Sequence, residues 1–324
     1  MGIKYLNRFL KETAPTSMQF VNLSQLSGKK IAVDISIYMY RYAADDSLIE
    51  NVYLMLSIFR HYNIIPIFIF DGKPPAEKKE LLLKRREDKK DAAEEYNSIK
   101  NILKNNEDMD DSEKQDLIYT MDILKRKFVN IRKNDIENIK ELIRAYGGTY
   151  FDAPGEADEL CAMLAIKEMV WACLSEDMDM FVYGCPRVIR YFSLLNHTAV
   201  LYDISEILKN LGITQKELRE ICILSGTDYN SLNVIDENSP TLYSTLKHFK
   251  KYHKEKSSLD FYDWLIEKTN YIKNIELLKK IYSIFDLSNN TCNISIFHDI
   301  KIKNGPINKV IIINILKTDG FIFP

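Results

Sequence analysis

Two acidic pairs, Glu156 with Asp158 and Asp177 with Asp179, stand in the stretch FDAPGEADELCAMLAIKEMVWACLSEDMDM at 151–180. Pro154 and Gly155 announce a turn into a helix whose first turn carries the first pair, where the helix dipole favours negative charge. Residues 170–174 are apolar and too short for a typical helix, so they read as a buried strand with SEDMD at its carboxyl end. In open α/β sheets ligands bind at that end. Four carboxylates gathered there repel one another unless something positive lies between them, and a hard divalent cation with oxygen ligands fits that need. Glu156 and Asp158 are two apart and share no face inside a regular helix, so both reach one site only from the first turn. Acidic pairs also occur at helix starts and strand ends without any ligand, so the metal reading needs support from elsewhere in the chain.

The positioning elements supply some of that support. Residues 31–33 form a strand candidate ending at Asp34, and the run IIPIFIF at 64–70 leads directly into Asp71-Gly72. Pro66 requires that the second strand begin at an edge or leave one end unpaired. A helix over 215–224 opens from Thr214 with Glu217 three residues on, a capping-box spacing, and ends at SGTD, which adds Asp228. Between the second strand and the 151–180 stretch, KPPAEKKELLLKRREDKKDAAEEY is strongly charged and helix-favouring. Lys78 and Arg85 are seven apart and share a helical face that could hold phosphates. Lys79, Lys84 and Arg86 crowd the same segment, and Lys125 and Arg126 lie in the helix that follows an acidic loop at 105–116. Such charge runs are more often solvated helix faces, and only the neighbouring aspartates favour phosphate. After an apolar run at 310–316 the sequence closes on FIFP at 321–324, and that tail reads as a strand, a packed end or a partner-binding peptide.

Composition bounds the possibilities. The 324 residues carry a net charge of -2, so any nucleic-acid surface is local and not a basic tail. Cys161, Cys173, Cys185, Cys222 and Cys292 are widely spaced and read as reduced and mostly buried. No leader or membrane-spanning run opens the chain, and Leu6 breaks the myristoylation pattern. An intracellular location is expected: the nucleus for a cellular protein, the host cytoplasm for one from a cytoplasmic DNA virus.

Six ordered blocks, MGIKYL, IAVDISIYMY, FIFDGKPPAEKKELLLKR, FDAPGEADELCA, SEDMDMFVYG and ILSGTDY, resemble the flap endonuclease/XPG family of structure-specific 5' nucleases over residues 1–229. The Ile-, Asn- and Lys-rich chain looks like a divergent or viral member. The resemblance implies an α/β fold with a PIN-like (resolvase-like), mostly parallel central sheet flanked by helices. A nuclease core would span 1–228, made of a block at 1–72, a helical arch at 73–130 and a block at 131–228. Residues 229–324 would add a degenerate helix-hairpin-helix-like, DNA-binding region packed into the same globular unit. Asp34, Asp71, Glu156, Asp158, Asp177, Asp179 and Asp228 match the family's metal carboxylates, with Asp158 where Glu is more usual. Lys78 and Arg85 match the basic catalytic pair, Tyr40 the aromatic that stacks on a base, and Gly2 the terminal residue packed near the cleavage site. Lys79, Lys84, Arg86, Lys125 and Arg126 would add DNA contacts.

The implied activity is two-metal hydrolysis of DNA phosphodiesters with Mg²⁺, or Mn²⁺ in its place, combining flap endonuclease and 5'–3' exonuclease action in replication, repair or recombination. The partners are branched or nicked duplexes with a 5' single-stranded end, and replication or recombination proteins; no sliding-clamp peptide is recognisable. Two rivals remain: a catalytically weak DNA-binding scaffold, and a nuclease of the same fold acting on RNA or four-way junctions. One departure stands out. Where the family has a Gly-Ile-Gly hairpin that grips duplex around a monovalent ion, this chain has DYNSLNVIDENSP, with Val234, Ile235, Asp236 and Glu237 and no glycine. Either the hairpin is rebuilt with Asp236 or Glu237 turned to solvent, or duplex is held elsewhere, by the arch lysines, by Lys247, Lys250 and Lys251, or by a partner.

Overall fold

The computed structural model describes residues 3–105, 110–230, 240–289 and 301–322. Gly2 and the run Val234, Ile235, Asp236 and Glu237 lie outside the described residues, as does Cys292. The strands are β1 (Met18–Asn22), β2 (Lys30–Asp34), β3 (Ile65–Phe70), β4 (Thr149–Asp152), β5 (Ala172–Leu174), β6 (Arg187–Ser193) and β7 (Thr198–Asp203). The helices before β4 are α1 (Leu6–Thr13), α2 (Ile35–Ala44), α3 (Leu48–His61), α4 (Lys79–Asn105), α5 (Asp111–Lys127) and α6 (Lys133–Ala145). After it come α7 (Ala157–Ile166), α8 (Asp179–Tyr183), α9 (Ile204–Leu211), α10 (Gln215–Ser225), α11 (Leu242–Glu255), α12 (Phe261–Lys268), α13 (Ile275–Phe285) and α14 (Lys309–Thr318).

Among the described residues the strands form one sheet in the order β1-β7-β6-β5-β2-β3-β4. The five strands from β6 to β4 run parallel, whereas β7 is antiparallel to both β6 and β1. The sheet is therefore mixed, a block of five parallel strands with an antiparallel edge formed by β7 and β1. The physical reason is local: β6 and β7 are joined by a tight turn, which only antiparallel strands allow. The sequence reading missed β1 and β7 because neither is a continuous apolar run and neither is cleanly alternating. Pro66 sits opposite Ile31 of β2, but β4 pairs with β3 only from Ile67 onward, so the missing N–H of Pro66 leaves no gap in that ladder.

Two cores flank the sheet. One packs α2, α3, α6 and α14 around Tyr38, Val52, Phe59, Ile143 and Leu316. The other runs from α1 and α7 through α10 into the C-terminal helices, with Leu6, Cys161, Cys222, Phe261 and Phe285 fully buried. The arch helices α4 and α5 have a small core of their own, Ala92, Ile99 and Leu124. Residues 111–116, expected in a loop, are helical.

Of the three alternatives for the tail, the described residues show the packed end: α14 lies on α6, and Phe321 meets the Tyr53 ring. The segment before α14 straps back onto the layer of α3 and α6. Gly305 N–H donates to Gly147 O at 2.8 Å, and Arg60 Nη2 donates to Gly305 O at 2.7 Å. Gly147 has φ +71°, and a Cβ there would overlap the Gly305 backbone, so both its conformation and its neighbour demand glycine.

Candidate active site

Parallel β4, β3, β2 and β5 lie side by side, so the chain leaving each carries its acids to one edge of the sheet. Asp34 is the last residue of β2, Asp71 follows β3, Glu156 and Asp158 begin α7 beyond β4, and Asp177 and Asp179 follow β5. Asp228 arrives from the far end of α10. Its turn is fixed by Asn230, whose Oδ1 accepts from Thr227 N at 2.6 Å and whose Nδ2 donates to Ile223 O at 2.8 Å. The sheet edge thus collects all seven expected carboxylates.

Short contacts aim them. Asp71 Oδ1 accepts from Ala157 N at 2.9 Å, tying the loop after β3 to the start of α7. That approach needs Gly72: its N–H donates to Gly155 O at 2.7 Å, and a Cβ would overlap the Ala153 carbonyl. Ser175 Oγ donates to Asp34 Oδ2 at 3.0 Å and accepts from Asp177 N at 3.2 Å. Asp177 Oδ1 accepts from Asp179 N at 3.0 Å.

Electrostatics confirms the crowding. Burial, then the charge of Asp71, pushes Asp34 up to about 8. Burial also raises Asp158, Asp177 and Asp179, each with neighbouring carboxylates adding to it. The buried Asp179 Oδ1 has no hydrogen-bond partner. An all-oxygen donor set under this strain suits a hard divalent cation. Among the described residues no three of these groups close around one point, and two of the seven carboxylates are paired with arch cations. Lys78 ends the turn Ala76–Lys78 and is paired with Glu156 at 2.7 Å; Arg85, on α4, donates to Asp228 Oδ2 at 2.8 Å. Burial alone would lower the Lys78 ammonium, but the charges of Asp158 and Glu156 outweigh it and hold the group up.

The remaining basic candidates separate into two groups. Lys79, Lys84 and Arg86 are exposed near the start of α4, and Tyr40 is half exposed with Lys89 5.0 Å above its ring. Lys125 and Arg126 instead pair with Asp46 and Asp45, across the junction between arch and core. Lys247, Lys250 and Lys251 are exposed on α11.

Sequence reasoning missed four supporting residues: Ser175, Tyr229, Glu176 and Arg190. Tyr229 OH donates to Glu156 Oε2 at 2.8 Å, and Lys78 lies over the Tyr229 ring at 4.7 Å. Both it and Ser175 sit inside motifs already quoted, GTDY and SEDMD. The signal for Arg190 was a second charge in the interior of the strand RVIRYFS, flanked by Ile189 and Tyr191. At the other end of α8, Gln215 donates to the carbonyls of Phe181 and Val182, and Arg219 to that of Val182, so the short helix bearing Asp179 is gripped at its C-terminal end.

The XPG N-terminal domain matches residues 1–92 and the XPG I-region residues 147–228. Flap endonuclease 1 of Zea mays is 30% identical over 248 residues, which are 71% of this chain and 62% of that protein. The chain thus spans less than two thirds of the length of the curated relatives it matches. In three dimensions it resembles the catalytic core of Rad2 in complex with DNA substrate, at a TM-score of 0.63 and 21% identity, covering 96% of this chain and 93% of that one. Human GEN1 in complex with Holliday junction DNA gives a TM-score of 0.61 at 17% identity, covering 98% of this chain and 73% of that one. These matches overturn the PIN-like, resolvase-like class expected from the sequence: the fold is the flap endonuclease/XPG nuclease fold, a mixed sheet with flanking helices and a helical arch. They single out no viral or divergent branch. With both XPG regions present in order and the acids of both at one sheet edge, the chain belongs to the XPG/flap endonuclease family of structure-specific 5' nucleases.

Proposed function

We propose that this chain is a structure-specific 5' nuclease that hydrolyses DNA phosphodiesters at flaps, nicks, gaps or recessed ends, leaving a 5'-phosphate and a 3'-hydroxyl. The observation that carries this reading is the convergence of seven carboxylates at one sheet edge with Lys78 and Arg85 reaching into them from the arch. Asp34, Asp71, Glu156 and Asp158 would hold one Mg²⁺ or Mn²⁺ ion, and Asp177, Asp179 and Asp228 the other. When bound, the ions supply charge neutralisation at the phosphoryl oxygens and an activated water. Lys78 and Arg85 exchange their carboxylate partners for the scissile phosphate and donate to its oxygens as charge grows there. Tyr40 offers its face to the adjacent base, and the exposed Lys79, Lys84 and Arg86 hold the backbone of the entering strand.

The match to a GEN1 structure solved with Holliday junction DNA favours four-way junctions as a second substrate class. Labelled 5'-flap, gapped, recessed-end, four-way-junction and RNA substrates, each with Mg²⁺ and with EDTA, test both readings. Mg²⁺-dependent cleavage of a 5' flap is the expected result. Tight binding without cleavage of any of them would make the chain a scaffold.

A further inference from the structure

Arg190 lies in the middle of β6 and is 6% exposed, and both terminal nitrogens of its guanidinium reach the loop that carries Asp177 and Asp179, while its buried Nε makes no hydrogen bond among the described residues. Nη2 donates to the backbone carbonyl of Glu176 at 2.9 Å, and Nη1 contacts Met178 Sδ at 2.8 Å. Nε lies 3.7 Å from Glu176 Oε2. On the outer side Nη1 also donates to Asn7 Oδ1 at 3.0 Å, and Asn7 in turn donates to Tyr191 OH at 2.7 Å. The Glu176 carboxylate is caught from its other side as well, accepting from Tyr191 N at 2.7 Å.

The backbone is bent to make this possible. A bulge interrupts the β6–β7 register between Arg190 and Ser193, and Tyr191 has φ +55°, a left-handed conformation that a bulky residue rarely adopts. Strain of this kind persists where the surroundings over-determine it, and it collects at functional sites. A buried ion pair is seldom a net gain in stability over a well-packed apolar pair, so stability alone does not account for Arg190 and Glu176. What the pair does supply is geometry: a planar fork fixes Glu176 O and Met178 Sδ on either side of Asp177, whose Oδ1 in turn receives Asp179 N.

We propose that Arg190, braced by Asn7, is a positioning residue that sets the ligand geometry of Asp177 and Asp179; this rests on the nuclease reading above. Lysine at 190 keeps the charge and the stem but cannot span both contacts.

The test uses the full chain as wild type, R190K and R190M. Mn²⁺ binding is measured by calorimetry without DNA, 5'-flap cleavage under single turnover across a Mg²⁺ series, flap affinity in Ca²⁺, and folding by circular dichroism and Tm. Losing a partner behind a metal ligand weakens metal binding by roughly 10–100-fold. Mn²⁺ affinity of R190K is expected to fall within that range, with the Mg²⁺ midpoint for cleavage moving in parallel, excess Mg²⁺ restoring part of the rate, and flap affinity unchanged. R190K carries the test should R190M fold poorly. Unchanged Mn²⁺ affinity and midpoint in folded R190K overturn the proposal, as does a loss of flap affinity with Mn²⁺ binding intact. A wild type that binds Mn²⁺ but cleaves nothing sinks the nuclease reading instead, and the Mn²⁺ comparison still decides the role of Arg190.

Discussion

Lys78 Nζ lies 2.8 Å from Glu156 Oε1 and 2.7 Å from Oε2, and the same carboxylate receives the hydroxyl of Tyr229, over whose ring Lys78 rests. The arch therefore enters the acidic site through a pair that is already aligned, and on the proposed reading substrate phosphate would have to compete with Glu156 for the ammonium.

Lys78→Ala and Arg85→Ala are expected to cost turnover more than affinity. Each contact strengthens as the phosphoryl oxygens gain charge, by about 3 kcal/mol if it behaves as a single oxyanion donor. Single-turnover rates at saturating flap decide it. An unchanged rate with weakened binding would assign both residues to backbone binding.

Asp177→Ala and Asp179→Ala should abolish cleavage while leaving flap binding in Ca²⁺ intact. The loss should exceed the ~100-fold typical of removing a group behind a ligand. Asp179→Asn should also raise the Tm of the metal-free chain, because it removes a carboxyl whose ionisation is penalised by burial and by Asp177. Near wild-type cleavage by either alanine variant would remove these residues from the metal site.

Lys84→Ala and Arg86→Ala should each flatten the dependence of log affinity on log salt by about one phosphate contact. Lys125→Ala and Arg126→Ala should leave that slope unchanged, since Asp46 and Asp45 already occupy them. Equal flattening by all four variants would show that the junction pairs open on DNA.

Glu220 sits away from the site. Burial, only partly offset by Lys216, pushes its carboxyl up to about 7 from 4.5. The folded form then holds a proton that the unfolded chain releases, so this contribution is full below pH 4.5 and is lost as pH rises to about 7. Glu220→Gln should remove that slope and leave the protein more stable than wild type at pH 8, by at most about 3 kcal/mol at 1.36 kcal/mol per pH unit. Denaturant midpoints at pH 5 and pH 8 measure it, and a variant less stable at pH 8 would show that Glu220 is charged and well paired.

The acids were legible because each follows an apolar run or a Pro-Gly turn that marks where an element ends. Asp34, Asp71 and the SEDMD run could be placed at strand ends without knowing which strands were neighbours. The hairpin edge of the sheet was not legible: Phe20 of β1 is 72% exposed, so that strand lacks the apolar signature of the buried ones. Nor were the partners of Lys125 and Arg126. A lysine in a charge run looks the same whether it faces DNA or an aspartate 79 residues away, and only the fold separates the two.

The Arg60–Gly305 hydrogen bond closes a loop of 245 residues. A growing chain can zip α4 against α5 as soon as both emerge, since that contact is local, but the layer under α3 and α6 stays open until residue 305 and the α14 run have been synthesised. Contacts of such wide sequence separation are slow to form and leave apolar surface exposed meanwhile. Pulse-labelled amide exchange during refolding should find the α4–α5 pair protected well before α6. On this order of docking, the chain should be most open to proteolysis and aggregation in the interval before the strap docks.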